Sequence, residues 1–255
     1  MPNGSPPPPR PRISPLVGFW FDCWARAALR RQFHRVHRFG DPDWKTRFDP
    51  QIPHLYIANH ASFWDGVLLY HLIRRYLRQP AYCLIDQRQM RQHRFFARVG
   101  GIGLNRERRR DALRVLDVAA GLLAPPPSAS GRPANAVVLF PEGQIRPVDQ
   151  RPIRFEPAGL ARLIRRCPVE ARVVVVALRY DFWTEQRGEA LLHLCPPEPA
   201  GMLAHLPRDE LVATLASRLT SAADALRATS LRQQPGEVLL WGKRSISQWP
   251  RSPGR

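Results

Sequence analysis

Short apolar strands alternating with helical stretches place this chain in the α/β class. The expected architecture is a mixed, largely parallel central sheet flanked by helices, with an amphipathic interfacial helix at the N-terminus. Three observations carry that expectation. Residues 54–58, 136–140 and 171–178 are short, largely apolar runs of the kind that lie buried in such sheets. Residues 107–123 and 206–231 carry leucines and alanines at helical spacing between and after those runs. Polar, motif-like segments follow the ends of the apolar runs, where open α/β sheets carry their sites.

Taken in order, residues 1–15 form a proline-rich stretch without periodicity and read as a disordered tail. Residues 16–40 begin with Phe19, Trp20 and Trp24, interrupted by Asp22 and Arg26, and continue into Arg30, Arg31, Arg35 and Arg38. That run is too short and too charged to span a bilayer. It reads either as a helix lying in a membrane interface or as an amphipathic helix packed on the domain's own core. Residues 41–242 form the main domain: strand 54–58, helix 62–77, strand 82–85, a basic helical stretch 87–98, strand 102–105 and helix 107–123. A surface loop over 124–136 leads to strand 136–140. Beyond an irregular segment come helix 158–166, strand 171–178, strand 191–194 and helix 206–231. Residues 243–255 read as a frayed tail.

The 255 residues include 39 basic and 21 acidic side chains, a net charge of +18. Only Lys45 and Lys243 are lysines; the rest of the basic side chains are arginine, whose planar fork suits phosphate. Such a balance is compatible with nucleic acid, anionic lipid or phosphorylated substrates. No groove-reading motif accompanies it, so no nucleic-acid partner is expected and a basic nucleic-acid-binding protein is the distant alternative. The four cysteines are widely spaced without a C-x-x-C pair, which favours reduced thiols over a disulfide frame or zinc ribbon. The His34-x-x-His37 pair lacks acidic neighbours and reads as a solvated helix face, so no metal site is expected.

Chemistry concentrates in three segments. The first is Asn59-His60-Ala61-Ser62-Phe63-Trp64-Asp65 at the end of strand 54–58. On one regular helix His60 and Asp65 would diverge by roughly 140°. They meet if the helix starts after His60, and Ser62-x-x-Asp65 has the spacing of a capping box that would start it there. Two readings are then open: a capped helix beside an ordinary loop histidine, or a carboxylate–imidazole dyad in which His60 is a general base. The second segment, Gly100 to Arg106, is glycine-rich and ends in arginine, but lacks the third glycine of a dinucleotide fingerprint. The third is Phe140-Pro141-Glu142-Gly143-Gln144-Ile145-Arg146, with Glu, Gly and Arg directly after a buried strand.

Together these segments resemble the glycerolipid acyltransferases of the 1-acylglycerol-3-phosphate type. The family's N-H-x-x-x-x-D block is matched by Asn59, His60 and Asp65. Its glycine-led strand ending in Arg is matched by Gly100 to Arg106, and its F-P-E-G-T-R-S block by Phe140, Pro141, Glu142 and Gly143. Its fourth block, an apolar strand, corresponds to residues 173–178. Two departures stand out: Arg146 lies four residues after Glu142 where the family has three, and residues 173–178 contain no proline.

The resemblance implies transfer of a fatty acyl group from acyl-CoA or acyl carrier protein to a lysophospholipid hydroxyl, without a bound cofactor. It implies His60 and Asp65 as the catalytic pair, and Asn59, Arg106, Phe140, Pro141, Glu142, Gly143 and Arg146 as the substrate-binding set. The partners implied are the acyl donor, a lipid acceptor and a membrane surface, with the protein peripheral on the cytoplasmic face. An O-acyltransferase acting on a glycolipid or other lipid alcohol is the alternative that the altered third block favours. The leucines of helix 107–123 read as core, with an acyl channel as the secondary reading.

Overall fold

The valines of residues 173–176 explain the centre of the molecule: a β-branched run stiff at χ1 prefers the pleated sheet and packs on both of its faces. In the computed structural model, which describes residues 11–127, 130–155 and 157–243, they lie in β6 (Arg172–Asp181), the longest strand. Val173, Val175 and Ala177 face one hydrophobic layer, and Val174, Val176 and Leu178 face the other.

Parallel neighbours surround β6 on one side. The order is β4 (Gly101–Leu104), β3 (Ala81–Asp86), β5 (Ala136–Leu139), β2 (His54–Ala58), β6, all mutually parallel. On the other side the sheet continues as β7 (Gly188–Leu194), antiparallel to β6, then β1 (Phe33–Gly40), parallel to β7, and β9 (Glu237–Trp241), antiparallel to β1. The short β8 (Glu198–Pro199) pairs with the start of β6. The sheet is therefore mixed and largely parallel, with helices on both faces.

α1 (Pro15–Gln32) and α3 (Trp64–Arg75) cover one face; α5 (Arg109–Leu122), α6 (Pro157–Arg166) and α8 (Arg208–Leu231) cover the other. Short α2 (Trp44–Arg47), α4 (Gln87–Gln92) and α7 (Ala200–Ala204) occupy connections. The start of α1 is set by Ser14, whose hydroxyl accepts from the Val17 N–H, and by Pro15 in the first turn. Its face bearing Gly18, Ala25 and Leu29 is buried, and an Asp22–Arg74 ion pair ties it to α3.

Several elements differ from the sequence expectation. Residues 33–40, expected to extend the N-terminal helix, form β1 instead. The expectation failed because β1 hides charge: Arg35 and His37 bond Glu189 of β7, and Arg38 bonds Glu237 of β9. His34 and His37, expected on a solvated helix face, are buried in that strand. The basic stretch after β3 breaks at His93 into α4 and a 3₁₀ turn (Arg94–Val99). β6 runs three residues past its expected end. α5 packs through Val115 and Leu116 into the layer that Val173 and Val175 face, as core. Residues 1–10 and 244–255 of the two expected tails lie outside the described residues.

Candidate active site

β2, β6 and β5 are parallel, so their C-terminal ends lie side by side, and the polar segments that follow them meet at one edge. The turn after β2 is held first. Asn59 is buried, its Oδ1 accepts from the Leu178 N–H at 2.7 Å, and its Nδ2 donates to the Leu178 carbonyl at 2.9 Å. Asn59, expected to bind substrate, fastens the turn to β6 through both ends of its amide.

Asp65, fully buried in the first turn of α3, then gathers the turn around its carboxylate. Oδ2 accepts from Nδ1 of His60 at 2.8 Å and from the Ala61 and Ser62 N–H groups at 2.7 and 2.8 Å. The capping box forms in part. The Asp65 carboxylate reaches back to the Ser62 N–H, but the Ser62 hydroxyl accepts from the Trp64 N–H at 3.2 Å, and α3 starts at Trp64. His60 stands outside the helix, its ring stacked on Phe140 at 4.4 Å between centroids. With Nδ1 donating to the carboxylate, the lone pair of Nε2 is left for a proton.

The segment after β5 docks on the same turn. The Arg146 N–H donates to the His60 carbonyl at 2.8 Å, and Pro141 and Glu142 are buried. Gly143 has φ +70°, and a Cβ there would fall 2.0 Å from Nη1 of Arg106. Only glycine lets the Arg106 guanidinium pack against this backbone. Burial pushes the Glu142 carboxyl above its ordinary range, against the opposing pull of Arg146 and His60. The Nε of Arg146 is buried without a hydrogen-bond partner, leaving an unused donor in this segment. All the residues singled out in the sequence thus converge here, Asn59 as a structural tie.

From the dyad an apolar groove of about 180 Å³ runs between α1, α3, β3 and the 3₁₀ turn, lined among others by Phe21, Trp24, Tyr70, Cys83, Phe96 and Val138. His60 and Phe140 also line it, and α5 does not. An apolar slot ending at a carboxylate-oriented imidazole can hold a hydrocarbon chain with its reactive end at a general base.

The acyltransferase family model matches residues 43–180, more than half of the chain. The chain belongs to the acyltransferase family. Among solved structures this acyltransferase is similar to the crystal structure of the 1-acyl-sn-glycerophosphate (LPA) acyltransferase PlsC from Thermotoga maritima. That similarity has a TM-score of 0.56 at 14% identity and covers 82% of this chain and 79% of the other, a likeness of fold. No curated protein sequence matches it.

One residue of the candidate site escaped the sequence reading. The Tyr180 hydroxyl donates to Oδ1 of Asp65 at 2.6 Å, filling the carboxylate oxygen that His60 leaves open. The Tyr180 ring stacks on Phe33 of β1 at 5.3 Å. Period-two alternation from Val174 through Val176 and Leu178 puts Tyr180 on the α3 face, and extending β6 by three residues would have found it.

Proposed function

We propose that this acyltransferase moves a fatty acyl group from the thioester of acyl-CoA or acyl carrier protein to a hydroxyl of a lysophospholipid of the 1-acylglycerol-3-phosphate kind. The observation that carries the reading is the His60 imidazole, hydrogen-bonded at 2.8 Å to the buried Asp65 while forming one end of the apolar groove. The substrate named for the Thermotoga maritima relative points to the same acceptor class.

In this reading the acyl chain lies in the groove and its thioester carbonyl sits at His60. Nε2 of His60 takes the proton of the acceptor hydroxyl as its oxygen attacks the carbonyl carbon. The tetrahedral intermediate collapses with cleavage of the C–S bond, and the thiolate recovers the proton from the imidazolium. Asp65 fixes the ring orientation and stabilises the transient cation, with no acyl-enzyme required. Arg106 and Arg146 hold the acceptor's phosphate, and Gly143 gives Arg106 its place. The longer spacing between Glu142 and Arg146 favours, as a second reading, an acceptor whose head differs from a simple phosphomonoester.

The protein is read as peripheral to a membrane. Among the described residues no helix is long and apolar enough to cross one. Leu16, Phe19, Trp20 and Trp24 of α1 are exposed, as are Phe63 and Phe95, and Trp24, Phe63 and Phe95 line the groove. Aromatics at the mouth of a lipid groove, flanked by Arg91, Arg94 and Arg98, suit a bilayer interface from which a lipid acceptor enters.

The test is transfer from labelled palmitoyl-CoA and palmitoyl carrier protein to lysophosphatidate and to a neutral lysoglycolipid. The expected result is ester formation with lysophosphatidate, and its loss by about 10²–10⁴-fold in His60→Ala with the fold retained. Unimpaired turnover in that folded variant would overturn the catalytic reading.

A further inference from the structure

Beyond Arg106 the site continues into a second cavity, separate from the apolar groove. A polar cleft of about 370 Å³ opens at the C-terminal ends of β3 and β4, lined by Asp86, Arg88, Arg91, Asn105, Arg106 and Glu107. β4 is the edge strand of the sheet, so the cleft faces outward. Its size is that of a small-molecule site, far more than one phosphate group fills.

The walls are built rather than incidental. Gln87, which also lines the cleft, lies across Gly103 of β4: a Cβ at 103 would fall 2.2 Å from Oε1 of Gln87. Arg106 occupies the equivalent gap over Gly143. Asp86 caps α4 by accepting from the Arg88 N–H at 2.7 Å, and Asn105 accepts from the Glu107 N–H at 3.1 Å. Arg88 pairs with Glu107, Arg106 lies 3.9 Å from Asp86, and Arg91 has no carboxylate partner among the described residues. These ion pairs are exposed and weak enough for a ligand to displace.

The chemistry of the lining selects a composite ligand. Three guanidinium groups suit phosphate. Two carboxylates oppose a bare dianion but accept hydrogen bonds from hydroxyl groups, and two carboxamides can do either. A phosphate alone would be served better without Asp86 and Glu107. We propose that this cleft is a subsite for a phosphate ester that also carries free hydroxyls. The phosphate contacts Arg91 and Arg106, and the hydroxyls contact Glu107 and Asp86. Two substrates can bring such a group, the head of a phosphopolyol lysolipid or the phosphorylated ribose of coenzyme A. The assignment to a substrate rests on the acyl-transfer reading; binding to the cleft does not.

The full-length protein is titrated with glycerophosphoinositol, adenosine 3′,5′-bisphosphate, glycerol 3-phosphate and inorganic phosphate. One of the first two is expected to bind at least about tenfold more tightly than the last two. Arg91→Ala and Glu107→Gln are each expected to weaken that probe about tenfold. The probe that binds names the source, glycerophosphoinositol the acceptor and the bisphosphate the donor. Binding of both probes no tighter than inorganic phosphate overturns the proposal. So does a Glu107→Gln variant that binds the probe more tightly, since removing a carboxylate strengthens a plain anion site. Transfer to lysophosphatidate, run in parallel, separates the two readings. Activity without probe binding removes the subsite and keeps the acyltransferase reading; probe binding without activity does the reverse.

Discussion

The hydroxyl of Tyr180 and the carboxylate of Asp65 are joined at 2.6 Å inside the protein, on the carboxylate oxygen that His60 does not use. The aspartate is thereby gripped on both oxygens, by Tyr180 from β6 on one and by His60 and the Ala61 and Ser62 N–H groups on the other. A fully satisfied buried carboxylate has one geometry, and the imidazole bonded to it inherits that geometry.

Tyr180→Phe keeps the ring stacked on Phe33 and removes only the hydroxyl. The expected outcome is a kcat lowered about tenfold with KM for both substrates unchanged, measured by steady-state transfer kinetics. An equal rise in KM would show that Tyr180 touches substrate instead.

In the proposed mechanism Asp65 has a catalytic task beside its structural one, and two substitutions separate them. Asp65→Ala strands the Ala61 and Ser62 N–H groups and should cost about 3 kcal/mol in urea unfolding. Asp65→Asn keeps the shape and should lose less stability than Ala. Its activity should still fall about 10²-fold or more, because the amide cannot stabilise the imidazolium.

Gly143→Ala strains a backbone at φ +70° and drives a methyl group into the Arg106 guanidinium. The expected result is a KM for lysophosphatidate raised about tenfold or more with the acyl-donor KM unchanged, read by varying each substrate in turn. Equal KM values in variant and wild type would separate Arg106 from acceptor binding.

Burial raises the Glu142 carboxyl, so the folded protein holds that proton more tightly than the unfolded chain. Stability from this group is complete at acid pH and declines as pH rises from about 4.5 through the raised value. Glu142→Gln should therefore be more stable than wild type at pH 8, with the difference vanishing at pH 4, by thermal melts across that range. Acceptor binding should weaken in the same variant. A variant less stable than wild type at pH 8 would contradict the burial argument.

Buried histidines act with the opposite slope. Burial pushes His54 and His71 each down to about 4 from the ordinary 6.5, so both stay neutral in the folded state. The unfolded chain gains protons as pH falls below about 6.5, and stability should drop from there toward pH 4. The drop should be on the order of 3 kcal/mol for each group. Urea midpoints at pH 7 and at pH 4 or below measure it, and His54→Asn should flatten the slope.

Residues close in sequence were legible without coordinates. The strand character of residues 173–176, the helix beginning after His60 and the order of the three polar segments follow from side-chain shape, local spacing and capping chemistry. What tertiary structure alone decided involves partners far along the chain. β1 was invisible because its Arg35, His37 and Arg38 find partners only in Glu189 and Glu237, some 150 to 200 residues away. Asn59 braces the turn because Leu178 of β6 is its neighbour in space. Tyr180 joined the dyad for the same reason. The lone pairs of a carboxylate, or the amide of an asparagine, can be satisfied by substrate, by water or by the protein itself. Residue type leaves that choice open, and the packing of β2 against β6 makes it.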